Sequence, residues 1–320
     1  MKKFITIMLS VMLCIGCMFT LSACNDGAKY TVGICQLTQH PALDAATQGF
    51  KDALKKELGD DVKIEENNAS GVTDTITSII NGYVNKNVDL IMANATPVLQ
   101  NAVNATSTIP ILGTSVTDYA DALSIKDFNG STGFNVSGTS DLAPLSDQAN
   151  QVKELYPDAK KVGLIYCSAE ANSKFQVENI KVELEKLGYT CKEFSFADSN
   201  DVAAVCTAAA SESDVLYIPT DNTAASCTET INGVIGNTPV IAGEEGICQG
   251  CGLATLSINY YDLGYKTGLM AVKILRDGED VSKMPIEYIP VTKKYNKTKC
   301  AQLGLTDEFF TSKGYVAIGE

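Results

Sequence analysis

Histidine, tryptophan and basic residues are scarce or missing in this chain of 320 residues. His40 is the only histidine, so a Ser-His-Asp or Cys-His catalytic site could use no other imidazole, and a metal site with two histidine ligands is excluded. Lysine and arginine total 25 against 38 acidic residues, which gives a formal net charge of −13. This acidity argues against nucleic acid as a partner and against a polybasic membrane-binding surface. We predict no bound metal.

The motifs that bind nucleotides are also missing. No GxGxxG follows a strand, and the phosphate-loop signature GxxxxGK[ST] does not occur. We therefore predict no cofactor in this chain, and any nucleotide would be used by a partner. Cys248 and Cys251 form a lone CxxC in a glycine-rich segment predicted as a loop, which favours loop thiols or a local disulfide over metal or redox work.

The first 23 residues have the pattern of an export signal. Lys2 and Lys3 precede an apolar stretch, and residues 21–24 read Leu-Ser-Ala-Cys, which resembles the bacterial lipobox. We expect removal of residues 1–23 and attachment of lipid, with palmitate among its fatty acids, at Cys24. A tether over residues 24–29 would then hold the protein on the outer face of the cytoplasmic membrane. An ordinary secretory signal with an accidental cysteine is the alternative.

Cysteines are numerous enough to form several disulfides. Of the eleven, Cys14 and Cys17 would leave with the signal and Cys24 would carry lipid, so eight would remain in the mature chain. An even number in an exported protein permits disulfides without revealing their pairing. Cys35 and Cys167 end apolar strands, so buried free thiols are at least equally expected.

One sequence pattern occurs twice, about 130 positions apart. The segment 31–34 returns at 161–164, and the segment 89–92 returns at 214–217. Two similar α/β lobes create a cleft between the carboxyl ends of their strands, which is where open α/β sheets bind ligands. The duplication therefore predicts binding between two lobes.

Strands and helices are predicted to alternate along the chain. The predicted strands are 30–37, 62–66, 90–93, 109–113, 161–166, 190–196, 215–219, 240–242 and 253–258. The predicted helices are 41–58, 72–85, 97–106, 173–187, 201–211, 224–235 and 261–275. This alternation predicts an α/β fold with two similar, doubly wound lobes of mostly parallel sheet, joined by a hinge.

Three crossings between the lobes are expected. The polar, glycine-rich segment 128–140 is predicted as the first, a second falls near Asn259, and residues 286–291 are a candidate third. With these crossings, lobe 1 comprises residues 30–135 and 259–285. Lobe 2 comprises residues 136–258 and 286–320.

Polar loops follow the predicted strands of both lobes. Helix starts can hold a carboxylate through free backbone N–H groups, and an acidic residue opposite can take an ammonium. We expect Asp221 to bind the ammonium of the ligand and the helix start at Thr96 to bind its carboxylate. The alternative is that such residues only cap helices. The candidate ligand-binding residues in these loops are Thr38, Gln39, Ala95, Thr96, Ser115, Thr117, Ser168, Asp221, Asn222 and Glu244.

His40 precedes Pro41 at a predicted helix start. A structural or rim position and direct ligand contact both remain open for it. We predict no catalytic residue, because no nucleophile is paired with a base beyond the carboxylates of these loops.

Several segments resemble the substrate-binding lipoproteins of the tryptophan/tyrosine ABC-transporter family. They follow the family's order and cover essentially the whole mature chain. The matching segments are 32–34, 40–45, 94–97, 117–118, 170–173, 219–223 and 259–264.

The resemblance implies a type I periplasmic-binding-protein fold and a small ligand in the cleft, an amino acid or an analogue. It also implies delivery to a membrane permease driven by a separate ATPase. Since the chain has no tryptophan, an aromatic ligand would stack on a residue such as Tyr166. Tyr166 is followed by Cys167-Ser168 where the family pattern has Asn-Pro or a similar pair.

The leading interpretation is a monomeric, lipid-anchored solute-binding protein whose lobes close on an amino acid, possibly aromatic. A lipoprotein that senses a ligand for a membrane receptor is an alternative. An exported enzyme on the same fold is a third and needs a positioned nucleophile or base.

Overall fold

The computed structural model describes residues 27–318, which form two α/β lobes. The expected signal peptide and Cys24 lie outside the described residues. Five parallel strands make the first sheet, in the order β2-β1-β3-β4-β5. These strands are β1 (Tyr30–Gln36), β2 (Val62–Asn68), β3 (Leu90–Asn94), β4 (Ile111–Val116) and β5 (Val136–Ser140).

The second sheet has seven strands in the order β12-β11-β10-β9-β8-β6-β7. Only the β10–β11 pair is antiparallel among the described strands. The strands are β6 (Lys161–Cys167), β7 (Thr190–Phe196), β8 (Val215–Ile218), β9 (Val240–Ala242), β10 (Ala254–Ser257), β11 (Thr292–Tyr295) and β12 (Val316–Ala317). Strands β7-β6-β8-β9-β10 repeat the order of the first sheet, so the duplication in the sequence is a duplication of topology.

Helices cover both faces of each sheet, as expected for parallel sheets. The described residues contain thirteen α-helices and two short 3-10 helices, Gly59–Asp61 and Val281–Lys283. The α-helices are α1 (Pro41–Leu58), α2 (Thr73–Lys86), α3 (Thr96–Ala105), α4 (Tyr119–Ala122), α5 (Leu145–Leu155), α6 (Ala171–Lys186), α7 (Val202–Glu212), α8 (Asn222–Ser226), α9 (Thr228–Val234), α10 (Glu245–Gly250), α11 (Tyr260–Asp277), α12 (Lys297–Gln302) and α13 (Asp307–Thr311).

Helix α11 returns to the first lobe and packs tightly on α1. A methyl group at Gly264 would lie 1.8 Å from the carbonyl oxygen of Ala46, and one at Gly49 would lie 2.0 Å from the carbonyl oxygen of Tyr261. Glycine is therefore required at this helix crossing. On α1, Phe50 and Leu54 are fully buried in the core that α11 helps to close.

The first crossing starts later than the sequence indicates. Residues 136–140, predicted as part of a crossing, form β5, which pairs with β4 at the edge of the first sheet. Their polar side chains are satisfied by distant partners: the Ser137 hydroxyl donates to the carbonyl of Met284, and the Thr139 hydroxyl lies 2.8 Å from that of Thr267. The predicted limit of lobe 1 at residue 135 thus falls one strand short of the sheet edge.

Residues 286–291 precede β11 in the sequence, and their first residues run beside β5. Ile286 is buried in the core of the first lobe, and Glu287 forms a bridge with Thr139. The chain passes to the second sheet only after Glu287, so this predicted crossing begins alongside lobe 1. No helix within residues 27–318 is both long and apolar enough to cross a membrane.

Candidate functional site

A small cavity is enclosed between the two lobes, at the carboxyl ends of their strands. Its volume is about 10 Å³, room for roughly one water molecule. It is lined by His40, Leu43, Asp141, Thr220, Asp221, Asn222, Ala225, Glu244 and Tyr260.

A wider groove of about 350 Å³ adjoins the cavity through Asn222, which lines both. The first lobe contributes Leu37, Ile76 and Pro97 to the groove, and the second lobe contributes Glu170 among others. Polar residues line the groove from both lobes, since the first lobe also contributes Thr38, Ser70 and Thr73.

The lobes touch across the cleft. His40 Nε2 lies 3.3 Å from Asn222 Oδ1, and the Gln176 side-chain amide donates to the Thr117 hydroxyl at 3.4 Å. These contacts join the first lobe to α6 and α8 of the second. The structure is thus a closed arrangement of the lobes.

Asp141 lies where the chain first crosses between the lobes and is 3% exposed. Its carboxylate accepts hydrogen bonds from the Thr117 hydroxyl at 3.2 Å and from the Tyr260 hydroxyl at 3.0 Å. Burial raises the pKa of Asp141 to about 6, although both hydrogen bonds favour the charged form. Asp141 caps no helix, and its carboxylate is bonded by these two hydroxyls and by its own backbone N–H.

Asp221 caps α8. Its Oδ1 accepts from the backbone N–H of Ala224 at 2.8 Å, and its Oδ2 accepts from that of Cys167 at 2.6 Å. Burial, and then the negative charge of Glu170, raise the pKa of Asp221. The capping role considered for Asp221 is therefore present, and the same carboxylate lines the cavity.

Glu244 caps α10 in the same manner. Its two oxygens accept from the backbone N–H groups of Gly246 at 2.7 Å and Ile247 at 2.5 Å. Burial raises the pKa of Glu244 to about 7. No lysine or arginine is among the residues that line the cavity, and burial lowers the pKa of His40, so no positive charge offsets these buried acids.

Glu170 occupies the remaining donors at the start of α8. One oxygen accepts from the backbone and hydroxyl of Thr223, at 2.9 and 2.7 Å, and the other accepts from the backbone and side-chain amide of Asn222, at 3.1 and 2.6 Å. The starts of α8 and α10 are thus already occupied by the protein's own carboxylates, whereas α6 begins without a side-chain cap.

In the first lobe Asp118 caps α4, but α1 and α3 begin uncapped. Ala95, with φ of 95°, precedes α3 without a side-chain cap, and His40 precedes α1 without one. The Thr96 hydroxyl, the Ser115 hydroxyl and His40 Nδ1 are buried with no hydrogen-bond partner within the described residues. Burial lowers the pKa of His40, which favours the neutral ring.

The predicted ligand-binding residues fall into two groups. Asp221, Asn222 and Glu244 line the cavity. Buried at the ends of first-lobe strands are Ala95, Thr96, Ser115 and Thr117, and Thr38 lines the wider groove.

Three predicted residues lie away from the cavity. Gln39 is exposed and borders a different depression on lobe 1. The Tyr166 side chain packs in the lobe 2 core, where its hydroxyl donates to Glu193 at 3.2 Å. Ser168 is exposed and donates to the carbonyl of Phe196. The direction of the side chain, rather than closeness to a strand end, decides these positions.

The cavity also includes residues that sequence reasoning did not select, above all Asp141 and Tyr260. Each lies at a crossing between the lobes, and a hinged cleft is bordered by its crossings. Asp141 directly follows the segment predicted as the first crossing, and this position was the signal that could have identified it as a site residue.

The described residues contain no group of three or more His, Cys, Asp or Glu placed to hold a metal ion. All eight cysteines within residues 27–318 are free thiols. Cys248 lies in α10 and Cys251 directly follows it, so this CxxC is at a helix end and not in the predicted loop.

Comparison with known proteins agrees with this geometry. The model of the family described as ABC transporter substrate binding protein matches residues 31–308. A tyrosine-binding protein of Clostridioides difficile is 39% identical over 266 residues, which cover 82% of this chain and 76% of that protein.

Two solved structures share the fold. An ABC domain from Streptococcus pneumonia in complex with L-Trp has a TM-score of 0.84 at 31% identity, and the match covers 89% of this chain and 99% of that one. The ligand-free, open structure of a substrate-binding protein with adhesive properties from Clostridium difficile has a TM-score of 0.70 at 37% identity, covering 90% and 99%.

The L-Trp complex is the closer of these two in shape although it is the more distant in sequence, in keeping with the contacts between the lobes seen here. The fold is that of the type I periplasmic binding proteins, and the chain belongs to the family of ABC transporter substrate-binding proteins, which are not in general enzymes.

Proposed function

We propose that this chain captures an amino acid, preferably an aromatic one, between its lobes and presents it to an ABC importer. The observation that carries this proposal is the unequal chemistry of the two sides of the cleft. Buried acids without a basic partner lie at the cavity, and uncapped helix starts with unpaired hydroxyls lie on the first lobe. An amino-acid zwitterion carries an ammonium that can pair with the buried acids and a carboxylate that can bind at an uncapped helix start.

The ammonium end would face the acids, with Asp141 as its main partner. Asp141 caps no helix, so its carboxylate is not committed to a helix start as those of Asp221 and Glu244 are. Since each carboxylate oxygen has two lone pairs, Asp221 can add a further hydrogen bond to the ligand. An ammonium paired with these carboxylates would compensate their buried negative charge.

The carboxylate end would lie at the start of α3. The N–H of Thr96 and the positive end of the helix dipole favour an anion there, whereas Pro97 has no N–H and that of Val98 donates to the carbonyl of Ala95. The unpaired hydroxyls of Thr96 and Ser115 add two donors. As predicted from the sequence, the carboxylate of the ligand would lie at Thr96 and its ammonium near Asp221.

The side chain of the ligand would extend into the wider groove, whose apolar wall includes Leu37, Ile76 and Pro97. The groove has the volume of a small-molecule site, whereas the enclosed cavity does not. Binding therefore requires the lobes to separate and then to close on the ligand with a wider gap between them than in this structure. The named relatives support an aromatic ligand, since one is called a tyrosine-binding protein and another was crystallised with L-Trp.

The cellular setting completes the proposal. The protein is a monomer anchored by lipid at Cys24 to the outer face of the cytoplasmic membrane, where it delivers the ligand to a permease driven by a separate ATPase. Fractionation of cells that carry Cys24→Ala tests the anchor: release of the protein from membranes supports it, and retention contradicts it.

Calorimetry with a matched ligand series tests the site. We expect L-tyrosine or L-tryptophan to bind, and tyramine, which lacks the carboxylate, to bind much more weakly. The acid 3-(4-hydroxyphenyl)propionate, which lacks the ammonium, should also bind weakly. Equal affinity for all members of the series, or binding of none, would refute the zwitterion assignment.

A further inference from the structure

His40 is the only histidine of the chain and has no part in the proposed site. It precedes α1 in the first lobe, is 7% exposed and lines the enclosed cavity. Its Nε2 lies 3.3 Å from the side-chain oxygen of Asn222 in the second lobe. Its Nδ1 is buried with no hydrogen-bond partner within the described residues. One ring nitrogen therefore joins the lobes, and the other can bind a further group.

The neighbours of Asn222 decide which nitrogen of His40 carries the proton. The side-chain nitrogen of Asn222 donates to a carboxylate oxygen of Glu170 at 2.6 Å. The reverse orientation would place the amide oxygen against that carboxylate oxygen, so Oδ1 of Asn222 faces His40. Because Oδ1 can only accept, Nε2 of His40 is the protonated nitrogen and donates in this contact.

Nδ1 of His40 is then a hydrogen-bond acceptor, since in a neutral imidazole one nitrogen donates and the other accepts. Burial lowers the pKa of His40 and so favours this neutral ring. His40 does not cap α1, so no N–H group of that helix start bonds Nδ1. Among the described residues that line the cavity, no other has a buried side-chain nitrogen or oxygen without a partner. A ligand that donates to Nδ1 would satisfy this buried acceptor.

The ammonium of an amino acid has one more donor than the acids assigned to it. It carries three N–H groups, and Asp141 and Asp221 accept from two of them in the proposed function. Both carboxylates line the same cavity as His40. The cavity has a volume of about 10 Å³, room for roughly one water molecule, and an ammonium group is of similar size. Three acceptors thus line a space that suits one ammonium group.

We propose that Nδ1 of His40 is the third acceptor for the ammonium of the ligand and makes the cavity selective for a primary amine. This role rests on the proposed function, since it needs an amino acid in the cleft. A methyl group on the ligand nitrogen would remove one N–H group and add bulk in an enclosed space. An N-methyl amino acid should therefore bind poorly.

Nitrogen NMR of the protein with isotope-labelled histidine tests the proposal directly, because a chain with one histidine gives one pair of ring resonances. The native protein is purified without a histidine tag and saturated with L-tyrosine or L-tryptophan at neutral pH. We expect a protonated Nε2 and an unprotonated Nδ1 with the resonance of a hydrogen-bonded acceptor. A protonated Nδ1 in the complex, or an Nδ1 that accepts no hydrogen bond, would overturn the proposal.

Two substitutions separate the roles of the two ring nitrogens. His40→Gln places an amide nitrogen near the position of Nε2, which keeps a donor for Asn222 and removes the acceptor. His40→Asn is the matched control, because its shorter side chain ends near the position of Nδ1 and keeps an acceptor there. Calorimetry with L-tyrosine and L-tryptophan, each beside its N-methyl derivative, gives the preference of each variant for the primary amine.

We expect the parent protein to prefer the primary amine by about tenfold or more, since the N-methyl derivative loses a hydrogen bond from a charged group. His40→Gln should reduce this preference to less than about threefold, because the bond that distinguishes the two ligands is already absent. His40→Asn should keep the preference. A preference that His40→Gln leaves unchanged would contradict the role of Nδ1.

Asp141→Asn distinguishes failure of this role from failure of the proposed function. If Asp141→Asn weakens amino-acid binding while the preference survives His40→Gln, the zwitterion assignment stands and the role of His40 is wrong. If neither amino acid binds the parent protein, both are wrong. Should a substitution at His40 prevent folding, the NMR measurement on the native protein decides.

Discussion

The two lobes share one topology, and α3 of lobe 1 differs from its counterpart α8 of lobe 2 in how its start is used at the cleft. In lobe 2, Asp221, Glu244 and Glu170 occupy the N–H groups at the starts of α8 and α10. In lobe 1, α1 and α3 begin without side-chain caps. A helix start that the protein caps itself gains stability, and a helix start left uncapped can hold a ligand. Duplicated frameworks can therefore divide these two tasks.

Replacing Asp141 by asparagine should have the largest effect on this comparison. The variant removes a buried negative charge that caps no helix, so we expect amino-acid affinity to fall by about 30-fold or more, the usual result of removing one partner of a buried charge pair. Calorimetry with L-tyrosine or L-tryptophan measures the loss. Asp127→Asn, at an exposed position of lobe 1, is the control and should bind normally. Normal binding by Asp141→Asn would remove Asp141 from the site.

Asp221→Ala should damage both binding and stability. We expect affinity to fall by more than about tenfold, since a buried charge at the cavity is lost. The free energy of unfolding should also fall by about 2 kcal/mol, because α8 loses its cap and the Cys167 N–H loses its acceptor. Calorimetry and denaturant unfolding separate the two quantities. If affinity is unchanged while stability falls, Asp221 is a cap only.

The acids of the cavity make binding depend on pH. Because the pKa values of Asp141 and Glu244 are raised to about 6 and about 7 in the closed form, protonation stabilises that form at low pH, and this stabilisation is lost as pH rises through those values. A bound ammonium would lower both pKa values and release protons. Affinity should therefore rise by about tenfold from pH 5 to pH 7.5.

Calorimetry in buffers with different ionisation enthalpies counts the released protons. Asp141→Asn should release fewer of them than the parent protein. Equal release by both proteins, or none by either, would contradict the role given to these acids.

Thr96→Val should separate stability from binding on the first lobe. The substitution keeps the shape and removes an unpaired hydroxyl, so stability should stay within about 0.5 kcal/mol of the parent or rise. Affinity should fall about two- to tenfold because a donor to the ligand carboxylate is lost. Parallel losses in Tm and affinity would show that Thr96 supports the lobe instead.

Tyr166→Phe should have the smallest effect. The hydroxyl of Tyr166 faces Glu193 and not the cavity, so amino-acid affinity should change by less than about twofold. The stability cost should be about 1 kcal/mol or less, since only one partly exposed hydrogen bond is lost. A large loss of affinity would mean that β6 reorients when a ligand binds.

The sequence allowed the duplication, both sheets and the pairing of strands with helices to be predicted, because strongly apolar strands and amphipathic helices carry local patterns. Helix α5 was missed although Leu145, Ala149 and Val152 have helical spacing on one face. Strand β5 was missed because its serine, glycine and threonine residues have a loop-like composition. Its burial depends on Met284 and Thr267, more than a hundred positions away.

The site was harder to predict than the fold. Strand ends could be located, but alternation decides which face a side chain takes, and Tyr166 shares the face of Leu164 in the lobe 2 core. Asp141 belongs to a crossing with no periodic pattern, so only the closed arrangement of the lobes brings it to the cavity. Local sequence therefore locates the cleft and leaves its lining to the tertiary structure.

Each lobe contains a buried free cysteine whose reaction with an alkylating reagent reports when that lobe opens. Cys35 is the only cysteine of the first lobe within the described residues, and it is fully buried in the sheet, as Cys206 is in the second lobe core. Burial raises the pKa of each to about 12, so an alkylating reagent meets little thiolate until the surrounding structure opens. The order in which the two cysteines acquire label would reveal which half of the molecule unfolds first.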